Sequence, residues 1–287
     1  MKHFEYHEPK TIQDVCALLS RFGEEASILA GGTDLIVQMK RGRLTPKQVI
    51  NIKKIKGLDF ISENGVSYKL GALVSIADIA MHSGLQRSFP IVVNSAKSIG
   101  SAQIRNLATL GGNLCNASPS ADMSPSLLVL EAKVRIVGLQ ESRILPIEDF
   151  FLGPGRVDLN REEILAEIVL PFAPKNTKMI YYKLGPRKAM DCAIVSVAVA
   201  IGLNDATGEC EKARIALGAV APTPVRVREA EKLVEGKVAQ HIPLSKIGEI
   251  VRRQIAPISD VRGSAEYRYE TAMKLTLRAI KILMNLS

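Results

Sequence analysis

The chain has 287 residues, 47% hydrophobic and 23% charged, with 38 Lys and Arg against 29 Asp and Glu for a net charge of +9. This length suits about two structural units, and the composition excludes long disordered tracts. No stretch approaches the roughly 18 apolar residues of a membrane span. The opening residues Met1-Lys2-His3-Phe4-Glu5 form no apolar leader, so a cytoplasmic protein is expected.

The charge is spread, and its only local cluster is residues 40–56. There is no zinc-finger spacing and no basic helix of the kind that reads DNA. The excess is read as a solvated surface facing a phosphate-bearing ligand or a partner subunit, not a nucleic acid. Cys16, Cys115, Cys192 and Cys210 form no close pair, which argues against a disulfide framework or a structural zinc site. The four histidines, His3, His7, His82 and His241, are dispersed, so no metal is expected.

Along the chain, Thr11 with Asp14 three residues on reads as a helix cap. Ile12, Val15, Leu18, Leu19 and Phe22 then recur at helical spacing until Gly23. A short strand (27–30) runs into Gly31-Gly32, followed by a helix and a second short strand (49–52). Asn64-Gly65 between residues 60–62 and 66–70 predicts a hairpin. Ser75 caps a helix through His82, and another helix covers 91–98. Residues 100–126 are too rich in Gly, Asn, Ser and Pro for one regular element. Strands are expected at 134–137 and 164–170, and a boundary near 175. Strands at 179–184, 193–203 and 213–220 follow, with 193–203 buried. Helices are expected at 227–234, 244–254 and 264–286.

Two Gly-Gly loops lie about eighty positions apart. One is Leu29-Ala30-Gly31-Gly32-Thr33-Asp34-Leu35-Ile36. The other is Thr109-Leu110-Gly111-Gly112-Asn113, running on to Asp122. Paired glycines let the backbone turn sharply and bring successive N–H groups to an anion. Two such loops suit a diphosphate held from both sides. Neither carries the Gly-Lys-Ser/Thr of a P-loop or the dinucleotide GxGxxG. A plain turn is the alternative for each loop taken alone.

The string AGGTDLIVQMK at 30–40 resembles the first flavin loop of the molybdenum hydroxylase FAD subunits, the medium subunits of xanthine, carbon monoxide and nicotinate dehydrogenases. IRNLATLGGNLCNASPSADMSPSLLVL at 104–130 resembles the second loop of that family in nearly every position. YYKLGPRKAMDCAIVSVAVAI at 181–201 resembles the start of its C-terminal domain. The resemblance covers the whole chain. It implies an α+β fold: a two-lobed FAD-binding domain of the vanillyl-alcohol-oxidase (PCMH) type over 1–175, with lobes of about 1–56 and 57–175. A small α+β domain of three antiparallel strands and helices would follow over 176–287.

The resemblance also implies roles. Residues 29–36 would line the diphosphate and 109–113 would close the other side. Asp122 would accept a hydrogen bond from the cofactor. Ile99 and Leu165 would pack by the flavin, and Lys183 would lie near it. Read without the family, Ile99 and Leu165 are core residues, Asp122 a helix cap, Lys183 a surface charge and Cys115 a small buried filler. The implied function is electron transfer through FAD as part of an oxidoreductase complex, with no catalytic acid, base or nucleophile in this chain. A large partner subunit would carry the molybdenum cofactor and a small one two [2Fe–2S] clusters, with NAD or another carrier as acceptor. Two such clusters need about eight thiolates, and this chain has four cysteines. A stand-alone flavin reductase or oxidase and an FAD-less adaptor of the same fold are the alternatives.

Overall fold

The computed structural model describes residues 1–187 and 190–286. The chain opens with β1 (Glu5–His7), α1 (Ile12–Phe22), β2 (Ala26–Leu29), α2 (Leu35–Lys40) and β3 (Gln48–Asn51). Thr11 caps α1 reciprocally. Its hydroxyl accepts from the Asp14 N–H at 3.1 Å, and its own N–H donates to the Asp14 carboxylate at 3.2 Å. Val15 and Leu19 point from the apolar stripe of α1 into a core with Ile50 and Ile52. β3 lies between β1 and β2 and runs parallel to both. A parallel pair needs a crossover connection, and α2 supplies it between β2 and β3. The first glycine loop therefore leaves the carboxyl end of a strand, the edge at which open parallel sheets bind ligands.

The second lobe starts with the hairpin β4 (Ile61–Glu63) and β5 (Ser67–Gly71). Its turn holds because Gly65 takes φ +81° and the Asn64 side-chain oxygen accepts from the Val66 and Ser67 N–H groups. Six helices follow: α3 (Ile76–Met81), α4 (Ser83–Ser88), α5 (Pro90–Lys97), α6 (Ala102–Leu107), α7 (Leu110–Cys115) and α8 (Met123–Val129). The segment 100–126 is thus three short helices, capped at their starts by Ser101 and Thr109 in the first two cases. Next come β6 (Lys133–Val137), β7 (Ser142–Pro146), α9 (Ile147–Phe150), β8 (Phe151–Gly153), β9 (Arg156–Val157) and β10 (Ile164–Pro171). β7 through β9 were not expected. β7 is an edge strand with no buried residue and so has no apolar run to betray it. The sheet order is β4-β5-β10-β6-β7, antiparallel throughout.

The last part contains β11 (Thr177–Leu184), β12 (Val195–Leu203), β13 (Cys210–Gly218) and β14 (Val225–Arg226). The helices α10 (Arg228–Val234), α11 (Leu244–Gln254) and α12 (Ala265–Leu283) complete it. The antiparallel sheet has four strands, not the expected three. The fourth, β14, has two residues and is too short to carry a period of two. β12 is buried on both faces, and its alternation sorts side chains by size. Val195, Val197, Val199 and Ile201 face the core under α11 and α12. Ala198 and Ala200 face the core of the second lobe. Small residues on that side let α8 lie close against β12 and β13. Arg226, nearly fully buried, pins the contact: it forks onto Glu231 at 2.7 and 2.9 Å and donates to the Leu128 carbonyl at 3.1 Å.

Candidate flavin site

The two glycine loops meet across a cavity of about 320 Å³. The first loop lies flush against the end of α6. A Cβ on Gly31 would sit 2.0 Å from the Leu107 carbonyl oxygen, and Gly32 has φ +75°. Among the described residues, none accepts a hydrogen bond from the backbone N–H groups of Gly31, Gly32, Thr33, Asp34 or Leu35. These donors border the cavity. Unpaired N–H groups are costly to bury, so the loop is built to receive an acceptor-rich ligand.

The second loop is packed differently. A Cβ on Gly111 would lie 2.7 Å from the Ala72 Cβ. Its N–H groups are already bonded: Leu110 to the Val74 carbonyl (2.9 Å), Gly111 to the Ala72 carbonyl (2.8 Å) and Asn113 to the Thr109 carbonyl (2.9 Å). The Gly112 N–H goes to the Thr109 hydroxyl at 3.0 Å. The expected pair of N–H cradles is therefore one cradle and one wall. What the wall offers is side chains. The Asn113 side-chain oxygen is buried and has no partner among the described residues, and the Thr109 hydroxyl, which accepts from Gly112, keeps its own hydrogen to donate.

The remaining walls are apolar apart from Gln38 and Asn116. Ile99, Leu165, Ile52, Leu73, Leu159 and Ile164 line the cavity, as does Cys115, whose thiol is pushed up to about 12 by burial. That thiol is neutral at physiological pH and fits the reading of a filler. Of the residues singled out in the sequence, Ala30 through Leu35, Ile99, Thr109, Gly111, Gly112, Asn113 and Leu165 line the cavity. Leu29, Ile36 and Leu110 do not. Leu29 and Ile36 pack with Met39 and Val49 behind the first loop, and Leu110 is fully buried in the second lobe.

Asp122 and Lys183 also lie outside the lining, paired with each other. The Lys183 ammonium reaches Asp122 at 2.8 Å, the Ser98 carbonyl at 3.0 Å, and Asp191 through its carbonyl (3.1 Å) and carboxylate (3.4 Å). The Tyr181 hydroxyl donates to the other Asp122 oxygen at 3.0 Å. Asp122 stands at the start of α8 but caps none of its N–H groups. Burial pushes the Asp122 carboxyl up against the opposing pull of Lys183, and burial beside that carboxyl pushes the Tyr181 phenol well up. The network ends one residue from Ile99 in the cavity wall.

Lining residues that sequence reasoning missed include Gln38, Ile52, Ala72, Leu73, Asn116 and Leu159. Ala72, held to β10 through the Ala166 carbonyl, is set against Gly111, a contact with no local signal. Gln38, Ile104, Ala108 and Asn116 fall within the two quoted motifs and were readable from sequence.

A second cavity, of about 370 Å³, lies between the Ser118–Ser120 turn and the C-terminal sheet; it includes Cys192, Ala219, Asp260, Arg262 and Arg268. A third, of about 580 Å³, shares Cys192 and Arg262 with the second and Ile104 with the first. The third thus borders both of the others.

The family model for the FAD-binding domain in molybdopterin dehydrogenase matches residues 2–173. The chain belongs to this family. The model for the CO dehydrogenase flavoprotein C-terminal domain matches residues 180–283. The chain is 35% identical to the glyceraldehyde dehydrogenase medium chain of Sulfolobus acidocaldarius, covering 97% of each chain. It is 34% identical to the carbon monoxide dehydrogenase medium chain of Afipia carboxidovorans, covering 97% of this chain and 96% of the relative. It is 33% identical to the xanthine dehydrogenase FAD-binding subunit of Escherichia coli O157:H7, covering 96% and 94%. A crystal structure of Cu,Mo-CO dehydrogenase contains a chain that superposes with a TM-score of 0.94 at 33% identity, over 100% of this chain and 99% of that one. The α+β expectation, with a FAD-binding domain followed by a smaller one, is the fold of these medium chains.

The site fits the family's cofactor. The free N–H groups of the first loop suit a diphosphate, the unpartnered Asn113 oxygen suits a hydroxyl or ring N–H, and the apolar wall suits a flat ring. The described residues contain no helix long and apolar enough to cross a membrane.

Proposed function

We propose that this chain is the FAD-carrying relay of a molybdenum hydroxylase complex. In this reading it takes electrons from [2Fe–2S] clusters in a small partner subunit and passes them to NAD or another carrier. Substrate oxidation takes place in a large molybdenum-cofactor subunit. The observation that carries it is the pairing of one loop of unbonded N–H groups with a largely apolar cavity inside the family's FAD-binding domain.

FAD, when bound, supplies the redox chemistry; the residues bind and orient it. Gly31 through Leu35 hold the diphosphate by backbone donation, and Thr109 and Asn113 fix the polar middle of the cofactor. Ile99 and Leu165 flank the ring and keep water from it. Asp122 and Lys183, paired outside the lining, set the local charge from behind. Asp34 is the one carboxyl among the described lining residues, pushed up by burial; it sits in the first glycine loop with the diphosphate donors, which favours a relay over a stand-alone reductase.

The acceptor reading draws on the second cavity. It has walls of Ala and Pro for a flat base, with Arg262 and the Ser118 and Ser120 hydroxyls for phosphate. Those features suit a nicotinamide dinucleotide. The test is an anaerobic absorption spectrum of the purified chain with and without NADH. Yellow flavin bleached by NADH is the expected result. Flavin untouched by NADH moves the acceptor to another carrier, and a colourless chain that cannot be reconstituted with FAD overturns the relay.

A further inference from the structure

The two lobes line the flavin cavity unequally. The second brings Thr109, Asn113 and Asn116 to it beside Ile99 and Leu165. The first, beyond its glycine loop, brings four apolar residues, Ile28, Leu35, Leu44 and Ile52, and one amide, Gln38. Gln38 lies one turn into α2, where its N–H donates to the Asp34 carbonyl at 2.9 Å. Its own carbonyl accepts from the Arg43 N–H at 3.0 Å and the Leu44 N–H at 3.5 Å. That turn folds the chain back, so Leu44 joins Gln38 in the lining.

The Gln38 side chain is half-buried and makes no hydrogen bond to a described residue. A polar group that a ligand covers must be satisfied by that ligand or cost binding energy. A carboxamide matches one edge of adenine. Its oxygen accepts from the exocyclic amine while its NH2 donates to the neighbouring ring nitrogen. Ile28, Leu35 and Leu44 supply apolar surface for the base itself. The first glycine loop stands where the lobes meet, with Gly31 against Leu107 and Ala108. A diphosphate held there divides a dinucleotide between the two ends of the cavity.

We propose that Gln38 reads the adenine of the cofactor, with Ile28, Leu35 and Leu44 packed on that base. The inference rests on the reading above, in which FAD fills this cavity with its ring against Ile99 and Leu165. The adenylate half then falls to the first lobe, where Gln38 is the side-chain amide in the lining. Gln38 is thereby a specificity-determining residue: it selects an aminopurine, and it favours the dinucleotide over the flavin mononucleotide.

The test uses the full chain freed of FAD, as wild type, Gln38→Leu and Gln38→Ala. Each is titrated with FAD, FMN, ADP and inosine diphosphate, whose base carries an oxygen in place of the exocyclic amine. The wild type is expected to bind ADP roughly tenfold more tightly than inosine diphosphate, and both variants should lose that preference. FAD affinity should fall roughly tenfold in the variants, while FMN affinity and the melting temperature of the FAD-free chain stay at the wild-type level. A wild type without the ADP preference, variants that keep it, or FMN binding that weakens as much as FAD binding would overturn the proposal. A wild-type chain that binds neither flavin overturns the relay instead; the ADP preference is read without flavin and still decides the role of Gln38.

Discussion

The two glycine loops look alike in sequence and differ in what they have left to offer. The first, after β2, has five backbone N–H groups at the cavity without an acceptor among the described residues, and needs glycine because another backbone presses on it. The second, starting α7, spends its N–H groups on Ala72, Val74 and Thr109 and contributes side chains instead. Glycine pairs thus serve two ends: one opens the backbone to a ligand, the other lets two parts of the fold close on each other. A motif match alone cannot tell these apart; the hydrogen-bond accounting can.

The sharpest way to break this contrast is a pair of alanines. Gly31→Ala forces a Cβ against the Leu107 carbonyl and displaces the free N–H groups. FAD affinity is expected to fall roughly tenfold or more, from about 1–3 kcal/mol of overpacking expressed at the ligand. Gly111→Ala presses on Ala72, so the same cost of about 1–3 kcal/mol should appear in denaturant melts of the FAD-free chain. If both substitutions act alike on FAD and on stability, the distinction between cradle and wall fails.

Asn113→Leu sharpens it. The buried side-chain oxygen has no partner in the FAD-free chain, so its removal should leave stability unchanged or improved. FAD binding should weaken by about 1 kcal/mol, measured by flavin fluorescence titration. Thr109→Val removes the hydroxyl that accepts from the Gly112 N–H, and a lost helix cap of this kind costs about 1 kcal/mol of stability. Thr33→Val, in the first loop, should change only FAD affinity.

The smallest effect concerns Cys115. With its thiol pushed up to about 12 by burial, alkylation at pH 8 should be far slower than at exposed Cys192, and slower again with FAD bound. Peptide mass mapping reads both. The sign for stability follows: a thiol raised in the folded state contributes stability below the ordinary thiol range. That contribution is lost as pH rises toward 12.

Much of this was legible in the chain itself. The Thr11–Asp14 capping box, the Asn64-Gly65 hairpin and the buried strand β12 each carry a local signature, and each forms within a few residues of its expected place. The cavity residues on the two loops were legible through the motifs. The rest depended on long-range packing. Ala72 reaches the second loop because β5 pairs with β10. Asp122 and Lys183 carry charges that suggest a ligand, yet sixty-one positions of sequence separate two groups that bond to each other. Short, weakly buried elements such as β7 and β14 were missed because they are too brief or too exposed to show a period.

The central claim is best tested by hydrogen–deuterium exchange at the two loops, with and without FAD. The account predicts that amides 31–35 exchange rapidly in the FAD-free chain and become protected on binding. It predicts that amides 110–113 are slow in both states. Protection of 110–113 that appears only with FAD, or amides 31–35 that do not respond to FAD, would contradict it.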